Sequence, residues 1–340
     1  MIRYFATVLP GLETVLSDEI KMKITDAHIL ESARGKVFFA SACSLDRLMA
    51  LRTADNLYRV IDRFEVGSHR IHLPALTERI ARLDLSFAMN SLAGERCFRV
   101  NASRRGKQSY SRFEAAEAAR AGIAKRYKDW RFGEADEPNV EFRLDIDDSE
   151  ATFSLRLTDA AFRYRGADRQ FAPAALRPPV AHAMVRLSDP EEADVFVDPC
   201  CGSGTIVAER LQYPYARIAG GDLSPEALKA ALVNVKDRPN IDLQEWDARR
   251  LPLDAGSVDK VAANLPFGVQ IGRKEDIPEL YRGLLKETGR ILRKGGVAVM
   301  LTECPEELLA SAEAASLFCV RTITVSLKGH RPTLFLLRRG

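Results

Sequence analysis

Four short apolar runs between residues 194 and 268 constrain the fold more than anything else in the chain, because each leads to a polar or acidic residue. Val195-Phe196-Val197 ends at Asp198, Arg217 to Gly221 ends at Asp222, Ile241 to Leu243 leads to Asp247, and Val261-Ala262-Ala263 ends at Asn264. Runs of this length suit buried parallel strands, and helical stretches such as Thr205 to Leu211 lie between them. The alternation predicts an α/β doubly wound sheet. Acids at strand ends then gather along one edge, where such sheets bind ligands.

The turn Asp198-Pro199-Cys200-Cys201-Gly202-Ser203-Gly204-Thr205 opens the series. Its glycines let a ligand approach backbone N–H groups that a Cβ would block, and the helix start adds positive potential. Asp222 follows Asp198 by 24 positions, where a carboxylate can accept both hydroxyls of a ribose, and Asp247 is placed to accept from an adenine amino group. Each has a plainer reading: Asp222 with Ser224 and Pro225 can cap a helix, and a glycine pair can be a tight turn. The ordered series favours an adenosine-containing cofactor. The turn lacks the G-x-G-x-x-G of diphosphate binding, so a methyl donor fits better than a nicotinamide.

Asn264-Leu265-Pro266-Phe267-Gly268 sets an amide, a rigid turn and an aromatic ring directly after a strand. An exocyclic amine on a base has its lone pair delocalised into the ring. The Asn264 side-chain oxygen and the Leu265 carbonyl can each accept an N–H and draw that lone pair out, while Pro266 fixes the turn and Phe267 stacks on an extruded base. The bland alternative is an Asn-x-Pro turn with Phe267 packed inside.

The front of the chain reads β-α-β-β-α-β, with strands at Ile2 to Leu9, Ala27 to Leu30, Lys36 to Ala40 and Leu57 to Phe64, the order of a ferredoxin-like unit. A helix from Leu73, a strand from Cys97 to Val100 and a helix capped by Ser111 follow, and Phe142 to Ile146 with Thr152 to Leu157 form a hairpin. The net charge of +3 says little, but residues 99 to 131 hold ten lysines and arginines against three acids. Ser103 to Tyr110 reads as a basic loop. Its Arg104, Arg105 and Lys107, with Arg112 and Lys125 on the next helix, are candidates for a phosphate-facing surface, although charge runs are often only solvated faces.

At 340 residues the chain needs more than one core, and 46% hydrophobic with 29% charged residues describes a globular protein. Its six cysteines form no C-x-x-C pair, so no metal is expected. Cys200 and Cys201 read as packing residues, and His182 and His330 as structural or solvent-facing. Without a membrane-length apolar run or a signal pattern, the expectation is a cytoplasmic protein with reduced thiols.

Residues 194 to 340 resemble a Rossmann-like S-adenosylmethionine-dependent methyltransferase, through Asp198 to Thr205 and Asn264 to Gly268. With the front half, the chain is similar to the THUMP-domain RNA guanine-N2 methyltransferases, most of all those acting on position 6 of transfer RNA. Leu265 departs from the usual motif, which has a proline pair. The resemblance implies a ferredoxin-like domain at 1–65, a THUMP domain at 66–158, a linker at 159–190 and the Rossmann-like methyltransferase domain at 191–340. It implies S-adenosyl-L-methionine held by Asp198, Cys200, Gly202, Gly204, Thr205, Asp222, Leu223, Asp247, Ala248 and Asn264. Catalysis would fall to Asn264, Leu265, Pro266 and Phe267, with tRNA as partner, no obligate protein partner, and a monomeric state. The competing readings are ribosomal RNA or another tRNA position as substrate, DNA adenine as substrate, and a non-catalytic RNA-binding protein with a relic fold.

Overall fold

The computed structural model describes residues 1–89, 96–133, 139–166, 168–171, 175–267, 273–326 and 329–340, apart from the side chain at 274. Gly268, the end of the Asn264 motif, lies outside the described residues. The first elements are β1 (Ile2–Thr7), α1 (Glu13–Lys23), β2 (His28–Ala33), β3 (Lys36–Ser41), α2 (Leu45–Met49) and β4 (Asn56–Glu65). Side chains alternate across β1 as the strand period requires. Tyr4 and Ala6 enter the main core, whereas Phe5 turns to the other face and stacks on Tyr58 at 4.5 Å.

The next elements are α3 (Leu73–Ala81), β5 (Cys97–Arg105), α4 (Arg112–Arg126), β6 (Arg131–Phe132), β7 (Val140–Asp147) and β8 (Glu150–Arg156). Ser111 starts α4 with a reciprocal cap: its hydroxyl accepts from the Glu114 N–H at 3.2 Å, and Glu114 accepts from the Ser111 N–H at 2.8 Å. β8 pairs with β7 on one side and with β4 on the other. One eight-stranded sheet, in the order β2-β3-β1-β4-β8-β7-β5-β6, therefore runs through residues 2 to 156. The structure corrects the loop expected from Ser103: β5 continues to Arg105 because Arg104 and Arg105 keep pairing with Ile146 and Asp147 of β7.

The remaining elements are α5 (Pro178–Leu187), β9 (Val195–Asp198), α6 (Thr205–Arg210), β10 (Arg217–Asp222), α7 (Pro225–Val235), β11 (Ile241–Glu245), β12 (Val258–Asn264), α8 (Ile277–Ile291), β13 (Leu292–Thr302), α9 (Pro305–Ala314), β14 (Leu317–Thr324) and β15 (Thr333–Arg339). They build a seven-stranded sheet ordered β11-β10-β9-β12-β13-β15-β14, parallel except at β15. This is the α/β, Rossmann-like architecture. β12 is buried from Val258 to Ala263, as a central parallel strand with both faces covered must be.

One core cluster joins α1 and β1 to α5 and β9, so the front of the chain packs on the second sheet. Charge is buried inside that junction. His182 of α5 is fully enclosed, its Nε2 lying 3.2 Å from Glu19 and its Nδ1 3.1 Å from Glu209. Arg52 and Arg165 also reach Glu209, with Nε atoms at 2.7 and 3.1 Å, and Arg169 lies 3.5 Å away. No helix among the described residues is long and apolar enough to cross a membrane.

Candidate active site

Strand order reverses between β9 and β12, and the crevice at their carboxyl ends is where an open α/β sheet receives its ligand. Asp198, Asp222 and Asn264 stand at the ends of β9, β10 and β12. The turn after β9 is braced from three directions. The Cys201 N–H donates to the Gly221 carbonyl at 2.8 Å, the Gly202 N–H to Asp222 Oδ2 at 2.9 Å, and the Trp246 indole to the Pro199 carbonyl at 2.9 Å. Gly204 is in the left-handed region at φ 72°, and a Cβ there would meet Ala231 at 3.0 Å, which explains the glycine. Gly202 is also left-handed, at φ 53°, but a Cβ would meet nothing within 4 Å. Open space therefore faces the turn.

Polar groups around that turn are under-used. Asp198 is buried, and among the described residues its carboxyl takes only a 3.2 Å bond from the Cys200 N–H; burial, with Asp222 nearby, pushes it well above the usual carboxylate range. The Ser203 and Thr205 hydroxyls are buried with no partner among the described residues. Unpaired buried groups of this kind are expensive unless a ligand meets them, so the turn fits a polar, nucleotide-derived group. Asp222 combines two roles: Oδ1 accepts from the Ser224 N–H at 3.0 Å, and each oxygen keeps a further lone pair. Ser224, not Asp222, caps α7, accepting from the Ala227 N–H at 3.2 Å. Leu223 is exposed beside it, and Ala248 is buried after β11. Asp247 is engaged by Arg249, whose Nη2 lies 2.7 Å from Oδ2 and whose Nε lies 3.0 Å from Oδ1. An adenine amino group would have to share that carboxylate.

The two motifs touch. The Cys200 thiol donates to the Asn264 carbonyl at 3.8 Å. Burial and the Asp198 and Asp222 carboxylates push both the Cys200 and Cys201 thiols up, so they stay protonated and are poor nucleophiles. Leu265 answers its departure from a proline pair. Its N–H donates to the Leu301 carbonyl at 3.0 Å, a rung no proline can make, and its side chain is fully buried. Asn264, Pro266 and Phe267 are half-buried, and the Phe267 ring has no aromatic or cation contact among the described residues.

The basic surface is less free than its composition suggests. Arg105 is paired with Asp147, at 2.6 Å from Nε to Oδ1, and Lys125 with Glu78 at 2.6 Å. Arg104 touches only the Gln108 amide oxygen, Arg112 lies over the Phe113 ring at 4.7 Å, and neither they nor Lys107 pair with an acid among the described residues. His182 is structural, and His330 is exposed beside Glu303 at 3.0 Å. Sequence reasoning missed Trp246, whose only signal is an aromatic beside the acid ending the third strand, and it missed the Cys200 link. Among the described residues no cluster of His, Cys, Asp or Glu is arranged to hold a metal ion.

The family model of the RMKL-like methyltransferase domain, UPF0020, matches residues 165–333. The tRNA (guanine(6)-N2)-methyltransferase of Thermus thermophilus is 30% identical over 348 residues, covering 98% of each chain. The tRNA (guanine(6)-N(2))-methyltransferase THUMP3 of Bos taurus is 32% identical over 265 residues, 71% of this chain and 51% of its own. The chain thus spans about half the length of that mammalian relative. The crystal structure of TrmN from Thermus thermophilus has the same fold, with a TM-score of 0.87 over the whole of both chains at 24% identity.

Proposed function

Because the chain belongs to the family of the tRNA (guanine(6)-N2)-methyltransferases, we propose that it methylates the exocyclic N2 amine of a guanosine in tRNA, at position 6 of the acceptor stem. The observation that carries this reading is the contact between the glycine turn and the Asn264 turn at the switch point, which brings a cofactor seat and an amine-binding loop together. S-adenosylmethionine, when bound, supplies an electrophilic methyl group. Asp198, Ser203, Thr205 and Asp222, with the open face of Gly202, are the residues that would hold it.

The loop's part is to prepare the amine. The Asn264 side-chain oxygen and the Leu265 carbonyl each accept an N–H of the guanine amino group, which favours a pyramidal nitrogen with its lone pair directed at the methyl group. Phe267 offers its face to the extruded base. We assign residues 66–158 as the THUMP domain, with Arg104, Lys107 and Arg112 as the least encumbered phosphate contacts, Arg105 and Lys125 joining once their exposed ion pairs exchange. The same reading has the protein acting as a cytoplasmic monomer without an obligate protein partner.

Labelled S-adenosylmethionine with unmodified tRNA or, separately, ribosomal RNA, followed by nuclease digestion and mass analysis, tests the reading. N2-methylguanosine at position 6 is the expected product; methylation only of ribosomal RNA, or of neither RNA, would overturn it. The double variant Arg104→Glu, Lys107→Glu should weaken binding to all tRNAs alike and reduce the slope of log affinity against log salt by about 2. An unchanged slope would move the RNA surface elsewhere.

Asp198 yields a prediction with a definite sign. Its folded-state carboxyl is raised, so the folded protein loses stability as pH climbs from the unfolded carboxylate range, about 3.9, toward the raised value. Asp198→Asn should therefore raise the unfolding midpoint of the cofactor-free protein at neutral pH. It should also weaken S-adenosylmethionine binding by about 0.5–1.5 kcal/mol, the net worth of a hydrogen bond between uncharged groups. Calorimetric unfolding and equilibrium dialysis read the two effects, and a destabilised apoprotein would contradict the argument.

A further inference from the structure

The backbone carbonyls of the Asn264 turn are not equally available to a substrate. The Asn264 carbonyl accepts the Cys200 thiol, and the Pro266 carbonyl accepts from the Tyr281 hydroxyl at 2.9 Å. No hydrogen bond reaches the Leu265 carbonyl among the described residues. Tyr281 sits on α8, outside the motif, and is fully buried.

The direction of the bonds can be worked out from the atoms alone. The Tyr281 oxygen lies 2.9 Å from the Pro266 carbonyl and 2.6 Å from Thr302 Oγ1, and Thr302 Oγ1 lies 2.8 Å from the Cys304 N–H. A carbonyl only accepts, so the single phenol proton goes to Pro266. The Thr302 hydroxyl must then donate to Tyr281, while its own oxygen accepts from Cys304. A directed chain results, from the Cys304 N–H through Thr302 and Tyr281 to the Pro266 carbonyl. Burial pushes the phenol up, so it keeps its proton at any working pH. Such a buried, fully satisfied chain stiffens what it ends on.

We propose that Tyr281 is a positioning residue for methyl transfer: by occupying the Pro266 carbonyl and anchoring it through Thr302 to β13, it leaves the Leu265 carbonyl as the backbone acceptor for the substrate amine and fixes its direction. This rests on the reading of Asn264 to Phe267 as the amine-binding loop. Tyr281 does not touch the reacting atoms. Its influence passes through one peptide unit, which is enough, because a displacement of about 1 Å at a reacting centre can lower a rate about a hundredfold.

The test is single-turnover methyl transfer to unmodified tRNA by the full chain, with equilibrium dialysis of S-adenosylmethionine and filter binding of tRNA on the same samples. Tyr281→Phe should slow the chemical step between about tenfold and about a hundredfold, leaving both affinities within about twofold. Thr302→Val, which keeps the phenol but removes its donor, should slow the step less, and Thr302→Ser should restore the wild-type rate. If Tyr281→Phe does not fold, the Thr302 pair decides. A wild-type rate in Tyr281→Phe, a rate loss matched by lost affinity, or a Thr302→Ser as slow as Thr302→Val overturns the inference. Asn264→Ala, run alongside, separates the two failures. If Asn264→Ala is slow while Tyr281→Phe is not, only the positioning role falls; if Asn264→Ala is as fast as wild type, the loop reading fails and the inference with it.

Discussion

Asn264→Ala is expected to slow methyl transfer by about a hundredfold to a thousandfold, the usual loss when one preorganised polar contact to a reacting group is removed. The backbone should survive the change, because the Cys200 thiol holds the Asn264 carbonyl and the Leu265 N–H stays on Leu301. Affinity for S-adenosylmethionine should therefore stay within a few-fold of wild type. Single-turnover rates with labelled cofactor give the first quantity and equilibrium dialysis the second. A fall in cofactor affinity as large as the fall in rate would place Asn264 in the cofactor seat instead of against the base.

Glu209→Ala should destabilise the protein by about 3–5 kcal/mol, the penalty for stranding buried charges whose partner has been removed. Glu209 is fully buried, and Arg52, Arg165 and Arg169 all converge on it. Glu209→Gln separates charge from shape. Because it fills the same space without the charge, it should be nearly as unstable as the alanine variant in denaturant unfolding, whereas recovery to wild type would make packing the dominant effect. Burial pushes the Glu209 carboxyl up, but contact with His182 and the charges of Arg165 and Arg52 outweigh it and hold the group low; Glu19 is likewise held low against burial, by His182 and Lys23. The sign follows. This stabilisation is complete above the ordinary glutamate range, about 4.3, and is lost as pH falls below it toward the depressed values.

Local signals carried most of the methyltransferase half. The strands ending at Asp198, Asp222 and Asn264 and the glycine turn are written in short apolar runs and in residues with special backbone freedom, which act within a few positions. The Ser111 cap is similarly local. What stayed hidden depends on partners distant in sequence. Arg104 and Arg105 look like loop residues until β7, some forty positions on, pairs with them. His182 reads as a lone histidine on an apolar helix; only folding brings up Glu19, from far upstream, and Glu209 to make the site ionic. Tyr281 belongs to an apolar stripe, and nothing in its spacing says that its hydroxyl reaches Pro266.

The pairing of β4 with β8 bears on how the protein can be dissected. Residues 56 to 65 supply strand partners on both sides, to β1 and to β8, so a cut near 65 falls at the end of a strand in the middle of a sheet. A fragment ending there would carry β4 with its outer edge bare, and a fragment beginning there would leave β8 bare, each a template for pairing with another chain. The residues up to 158 should therefore be expressed together, and the nearest place where the chain can be severed without opening a sheet lies in the connector that follows β8.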